Sequence, residues 1–187
     1  MIMRRLLDNL YRAALALSAL CLIAIALLVG GQLAGRIVDG VVRLLGFVPY
    51  GFVILSLAEI AGYLLAAASF FALAATLKSG AHIRVTMVLA AFGERTRRYL
   101  ELWAFGAAAA FSAYMTYHLA SFAWVSHRFN EVSPGVVRVP LALPQAAMAF
   151  GALILTIALI DEFFIVVARG RPSFRAAEDA ITLGKEG

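Results

Sequence analysis

The sequence predicts an all-α integral membrane protein with four transmembrane helices, and three observations carry that expectation. Apolar residues make up 63% of the 187 and charged ones only 14%, too few to build a water-soluble surface of ordinary character. The apolar residues fall into four long runs, each near the roughly 20 residues that cross about 30 Å of hydrocarbon at helical rise. The basic residues gather in alternate connections, the bias that orients membrane chains.

The first run, Ala13 to Gly35, follows Arg4, Arg5 and Arg12. It is too long for a signal-peptide core and lacks a clear small-x-small cleavage site, so it reads as an uncleaved span. Residues 36–51 follow, with Ile37, Val38, Val41, Val42 and Leu45 on one helical face and Arg36, Asp39 and Arg43 on the other. This pattern predicts an amphipathic extension, with Asp39 one turn before Arg43 in the favourable order for an ion pair. The second run, Phe52 to Leu77, contains Glu59. Counted from Phe52, Glu59 lies about 10 Å inside the helix, and a carboxylate at such depth needs a partner. Arg36, Arg43 or a group on a partner subunit are its candidate partners.

Between the second and third runs stands SGAHIRVTMVLAAFGERTRRYLELW, residues 79–103. Its mostly apolar half followed by GERTRRYLE predicts a short interfacial helix, with Arg95, Arg97 and Arg98 available to lipid phosphates or a partner subunit. The third run, Leu100 to Val125, carries Tyr114, Tyr117, His118 and Trp124. These read as interfacial aromatics rather than a haem pocket, which needs two facing His at matching depth. Residues 126–144 hold three Pro and one Gly and predict an irregular but constrained loop. The fourth run, Pro144 to Ala168, carries Asp161 and Glu162 in its inner part, and as neighbours on a helix they point about 100° apart, so at least one faces another helix. Small residues at i, i+4 (Ala58, Gly62 and Ala66; Gly106 and Ala110; Ala147 and Gly151) are candidate close-approach points. Residues 169–187 form a polar tail, and residues 1–187 a single membrane domain.

Twelve of the sixteen Lys and Arg lie before the first run, between the second and third, or after the fourth. Both termini are therefore expected in the cytoplasm, with two short connections outside. The net charge of +5 reports this topology and anionic lipid rather than nucleic acid. The lone Cys21 permits no internal disulfide and no thiolate cluster. No set of nucleophile, base and oxyanion donor stands out, and neither a cofactor nor a metal site is expected.

The order Gly80, His82, Ile83, Arg84, Val85, then Arg95, Arg97 and Arg98, between a second and a third span, resembles the small membrane subunit of tripartite ATP-independent periplasmic (TRAP) transporters, the DctQ type. Glu59 early in the second span and the Pro-bearing loop extend the resemblance over nearly the whole chain. Thr86 stands where that family usually has an acidic residue, so no role of that carboxylate transfers. The resemblance implies a non-catalytic subunit of the bacterial inner membrane. Its implied partners are a large DctM-type membrane subunit and a periplasmic substrate-binding protein, and its implied task is sodium-driven uptake of an organic acid. Two other readings stay open on sequence: a small haem- or quinone-binding oxidoreductase subunit, and a self-sufficient homo-oligomeric channel.

Overall fold

A computed structural model of the chain describes residues 2–79 and 93–170. The described residues form four helices: α1 (Ile2–Leu44), α2 (Leu57–Lys78), α3 (Glu94–Arg128) and α4 (Ala142–Arg169). They lie in the order α1, α2, α4, α3, with α3 packed on α4, α4 on α2, and α2 on α1. The core is a thin seam that includes Tyr11, Ala74, Leu77, Phe105, Ile154, Ala158 and Val166. A bundle this open buries few side chains because lipid, unlike water, exacts no penalty from exposed aliphatic surface. The chain is a multi-pass membrane protein.

Three helices combine the length and apolarity of a membrane span: residues 4–44, 57–78 and 142–168. The expected third span is not among them. Its helix, α3, has 35 residues, ample for a crossing, but Trp103, Tyr114, Tyr117 and His118 dilute its hydropathy.

Helix α1 differs most from expectation. It runs past Gly35 unbroken for 43 residues, about 65 Å at helical rise. The expected amphipathic extension is its last turns. Asp39 does not pair with Arg43: its carboxylate accepts hydrogen bonds from the backbone N–H groups of Tyr50 (2.9 Å) and Phe52 (3.2 Å). Gln32, seven residues earlier on the same face, accepts one from Ile54 (3.0 Å). Three alternate amides of the returning chain thus hang from one stripe of α1, and α2 starts only at Leu57.

Close approach occurs where α4 crosses α2. A Cβ at Gly151 would stand 2.7 Å from the carbonyl carbon of Phe70, so only glycine lets the backbones meet here. Among the described residues, a Cβ at Gly62 would meet nothing within 4 Å and one at Gly106 would meet the Phe163 ring. Helix α4 ends on Gly170 with φ of 73°, the left-handed cap position that glycine fills without strain.

Candidate functional site

The described part of the chain carries a set of polar ties between helices, one for each neighbouring pair. Where α1 meets α2, the Ser18 hydroxyl donates to the carbonyl of Ala68 at 2.8 Å, out of contact with solvent. Between α3 and α4, Ser112 Oγ lies 2.8 Å from Thr156 Oγ1, and Thr116 Oγ1 lies 3.2 Å from the same oxygen. Arg98 adds a bond from Nη2 to the carbonyl of Val167 at 2.8 Å, satisfying an acceptor in the last turn of α4 that the helix itself leaves open.

The strongest tie joins α2 to α4. Lys78 Nζ contacts Asp161 Oδ2 and lies 2.8 Å from Glu162 Oε1. The Glu162 side chain is fully buried, while Asp161 keeps about a fifth of its surface exposed. The Tyr11 ring of α1 lies 5.4 Å from the ammonium, so three helices converge on Lys78. The Tyr11 hydroxyl is buried and has no hydrogen-bond partner among the described residues. Asp161 and Glu162 were legible as interface residues, but their partner was not. Lys78, last residue of a long apolar run, reads in sequence as a topology marker, and the 83 positions separating it from Asp161 carry no local signal.

Sequence reasoning also passed over Glu101. It lies one turn beyond Arg97, whose Nε approaches Glu101 Oε1 at 3.4 Å, and its side chain is 1% exposed. Its second oxygen has no hydrogen-bond partner among the described residues. Arg95 is exposed. Of the three arginines expected to meet lipid or a partner, Arg97 and Arg98 therefore each place one donor on a group of the chain itself.

At the opposite end Glu59 sits nearer the start of its helix than the sequence count placed it. Because α2 starts at Leu57, Glu59 lies in its first turn, where the positive end of the helix dipole favours it. It accepts a hydrogen bond from the Tyr63 hydroxyl at 2.8 Å, and neither Arg36 nor Arg43 pairs with it. The loop between α3 and α4 packs against it so closely that a Cβ at Gly135 would overlap Glu59 Oε2 at 1.8 Å. That loop closes on itself through an antiparallel bridge between Val132 and Pro140 and hydrogen-bonds Ser56 Oγ through the N–H of Val137 at 3.0 Å. Its constraint was legible from its prolines. Gly80, His82, Ile83, Arg84 and Val85 lie outside the described residues.

Over residues 37–169, from the last turns of α1 through α4, the chain matches a family model described as tripartite ATP-independent periplasmic transporters, DctQ component. The chain belongs to the DctQ family. No curated protein matches it. The match runs from the distal part of α1 to the last residue of α4, and it covers both the Lys78 tie and the Glu59 loop contact. The family is one of transporter components, so the ties described above belong to a membrane subunit of a transporter. Among the described residues no group of His, Cys, Asp and Glu could hold a metal ion.

Proposed function

We propose that this DctQ chain is the static scaffold of a TRAP transporter, holding a large DctM-type subunit in place and offering part of the surface on which a periplasmic binding protein docks. The observation that carries this reading is the set of interhelical ties centred on Lys78. Lys78 with Asp161 and Glu162, and Thr156 with Ser112 and Thr116, are committed to one another across helices, which suits a frame more than a moving transport site. In this reading the large subunit binds and moves an organic acid with sodium, and the complex resides in the bacterial inner membrane.

All four helices cross the bilayer in this proposal, with both termini cytoplasmic. Support for the α3 crossing comes from its register: Arg98 lies level with Val167, and Ser112 with Ala152 and Thr156. Helix α3 therefore shares the depth of α4, which is apolar enough to span. The basic bias supports the orientation. Gly80, His82, Ile83, Arg84 and Val85 serve as contacts to the large subunit, and exposed Arg95 meets lipid phosphate.

The test is uptake of radiolabelled carboxylates by cells carrying the binding protein and large subunit with or without this chain. Uptake should require the chain and external sodium. Full uptake without it, or saturable carboxylate binding by the purified chain alone, would overturn the scaffold reading. Exchanging His82 and Arg84 together for Lys should abolish uptake, because ammonium supplies neither the imidazole acceptor nor the planar guanidinium fork. Exchanging Arg95 for Lys should leave uptake unchanged.

A further inference from the structure

The free faces of the two outer helices differ in chemistry. Helix α1 shows Leu17, Leu20, Leu22, Ile23, Leu27 and Leu33, an aliphatic surface of the kind lipid tails accept. Among the described residues helix α3 packs chiefly on α4 and turns Trp103, Tyr114, Tyr117 and Trp124 outward, each between 64% and 75% exposed. Trp103, Ala110, Tyr117 and Trp124 recur every seventh residue, and Ala107, Tyr114 and Ser121 follow the first three by four. This is the seam pattern of a helix packed against another helix.

Depth sharpens the contrast. Ser112 contacts Thr156, next to the centre of the apolar span 142–168. Tyr114 and Tyr117 follow Ser112 by two and five residues, hence about 3 and 8 Å from that level, well inside the roughly 15 Å half-thickness of the hydrocarbon. Helical side chains lean toward the helix N-terminus, which for these two is toward the bilayer centre and away from the nearer headgroups. Neither hydroxyl has a hydrogen-bond partner among the described residues. Their rings gather around His118, at centroid distances of 4.3 and 5.4 Å. Two hydroxyls and an imidazole at hydrocarbon depth suit a protein neighbour and not acyl chains.

We infer that the outward face of α3, centred on Tyr114, Tyr117 and His118, is the seat of a transmembrane helix of the partner membrane subunit, one that presents small residues and hydrogen-bonding groups at that depth. A second copy of this chain fits poorly. Two copies share one orientation in the membrane, so a two-fold pairing would set Trp103 on Trp103 and Tyr117 on Tyr117, large side chains with no hole to enter. An apolar groove between α3 and α4, about 490 Å³ and lined by Ala120, Ala123, Trp124, Ala146 and Ala149 among others, continues the seat toward the loop end. The inference rests on the scaffold reading and on α3 crossing the membrane.

The test places the photo-crosslinking residue p-benzoylphenylalanine at Tyr114 or Tyr117, and separately at Leu20 or Leu27 on α1, in cells that also express the large subunit. The α3 positions should give an adduct with the large subunit and the α1 positions none. Adducts from α1 but not from α3, or an α3 adduct with a second copy of this chain, overturn the inference. Recovery of the large subunit on affinity-tagged wild-type chain is scored in parallel. Recovery without an α3 adduct rejects the seat and keeps the scaffold reading; no recovery rejects both. A Tyr114→Phe, Tyr117→Phe variant removes only two hydroxyls and leaves the fold intact, and recovery in detergent should fall roughly tenfold. Unchanged recovery would mean that the hydroxyls meet no partner, which also overturns the inference.

Discussion

A single ammonium holds two carboxylates of another helix at the terminal end of the bundle, and the cost of removing it follows from burial. Lys78→Met keeps the apolar stem but leaves Asp161 and Glu162 without that cation. Loss of one member of a buried ion pair typically costs about 3–5 kcal/mol, so this variant should unfold at much lower temperature in detergent. Asp161→Asn should be milder, since Asp161 is the more exposed of the two carboxylates and Glu162 keeps Lys78. Melting of both variants by tryptophan fluorescence would check the order, and equal stability would mean that Lys78 is not the tie. At the loop end, Gly135→Ala drives a methyl group into the Glu59 carboxylate. Glu59 must then rotate away and give up the Tyr63 hydroxyl, which should cost about 1–2 kcal/mol. Restoring stability with a second change, Glu59→Ala, would show that the clash is the cause.

Among the elements, the helices themselves were legible because long apolar runs leave few alternatives in lipid. Their ends were less so. The helical periodicity of residues 37–45 marked an extension of the first run, but their change of composition concealed in sequence that it continues α1 as one helix to Leu44. The start of α2 was set five residues early, at Phe52, and this displaced Glu59 from the first turn to an apparent depth. The reason lies in Gln32 and Asp39, whose side chains draw the amides of residues 50, 52 and 54 into an extended segment; such pairing across a turn has no local signature. Small residues were legible as a set but not singly: Gly151 meets Phe70 whereas Gly62 meets nothing within 4 Å among the described residues. Gly151→Ala should therefore destabilise the bundle by about 1–3 kcal/mol while Gly62→Ala is neutral or mildly stabilising, as thermal melting would show. Thr156→Val removes the oxygen shared by Ser112 and Thr116 and should cost about 1 kcal/mol, near the middle of measured values for interhelical hydrogen bonds in membranes.

For the molecule as a whole, the alternating basic bias predicts which end faces outward, and the structure refines where to look. Ser133, near the middle of the 126–144 loop, is buried, with its hydroxyl 3.2 Å from both the carbonyl of Val137 and the N–H of Val139. A cysteine there would report packing and not topology. Val136 is 76% exposed on the same loop. In intact cells a membrane-impermeant maleimide should modify Val136→Cys and spare Ser79→Cys; the reverse pattern would invert the topology. The aromatic face of α3 bears on how the protein is made. An insertion machine that judges segments one at a time meets α3 before α4, and the hydroxyls, imidazole and buried Glu101 of α3 make it a poor candidate for release into lipid alone. It is expected to wait until Thr156 and its neighbours have been synthesised and then enter with α4 as a hairpin. A chain truncated at residue 141, bearing a glycosylation acceptor after Arg128 and translated with microsomes, should leave that acceptor on the starting side in a large fraction of molecules. Extension through Gly170 should move it to the lumen.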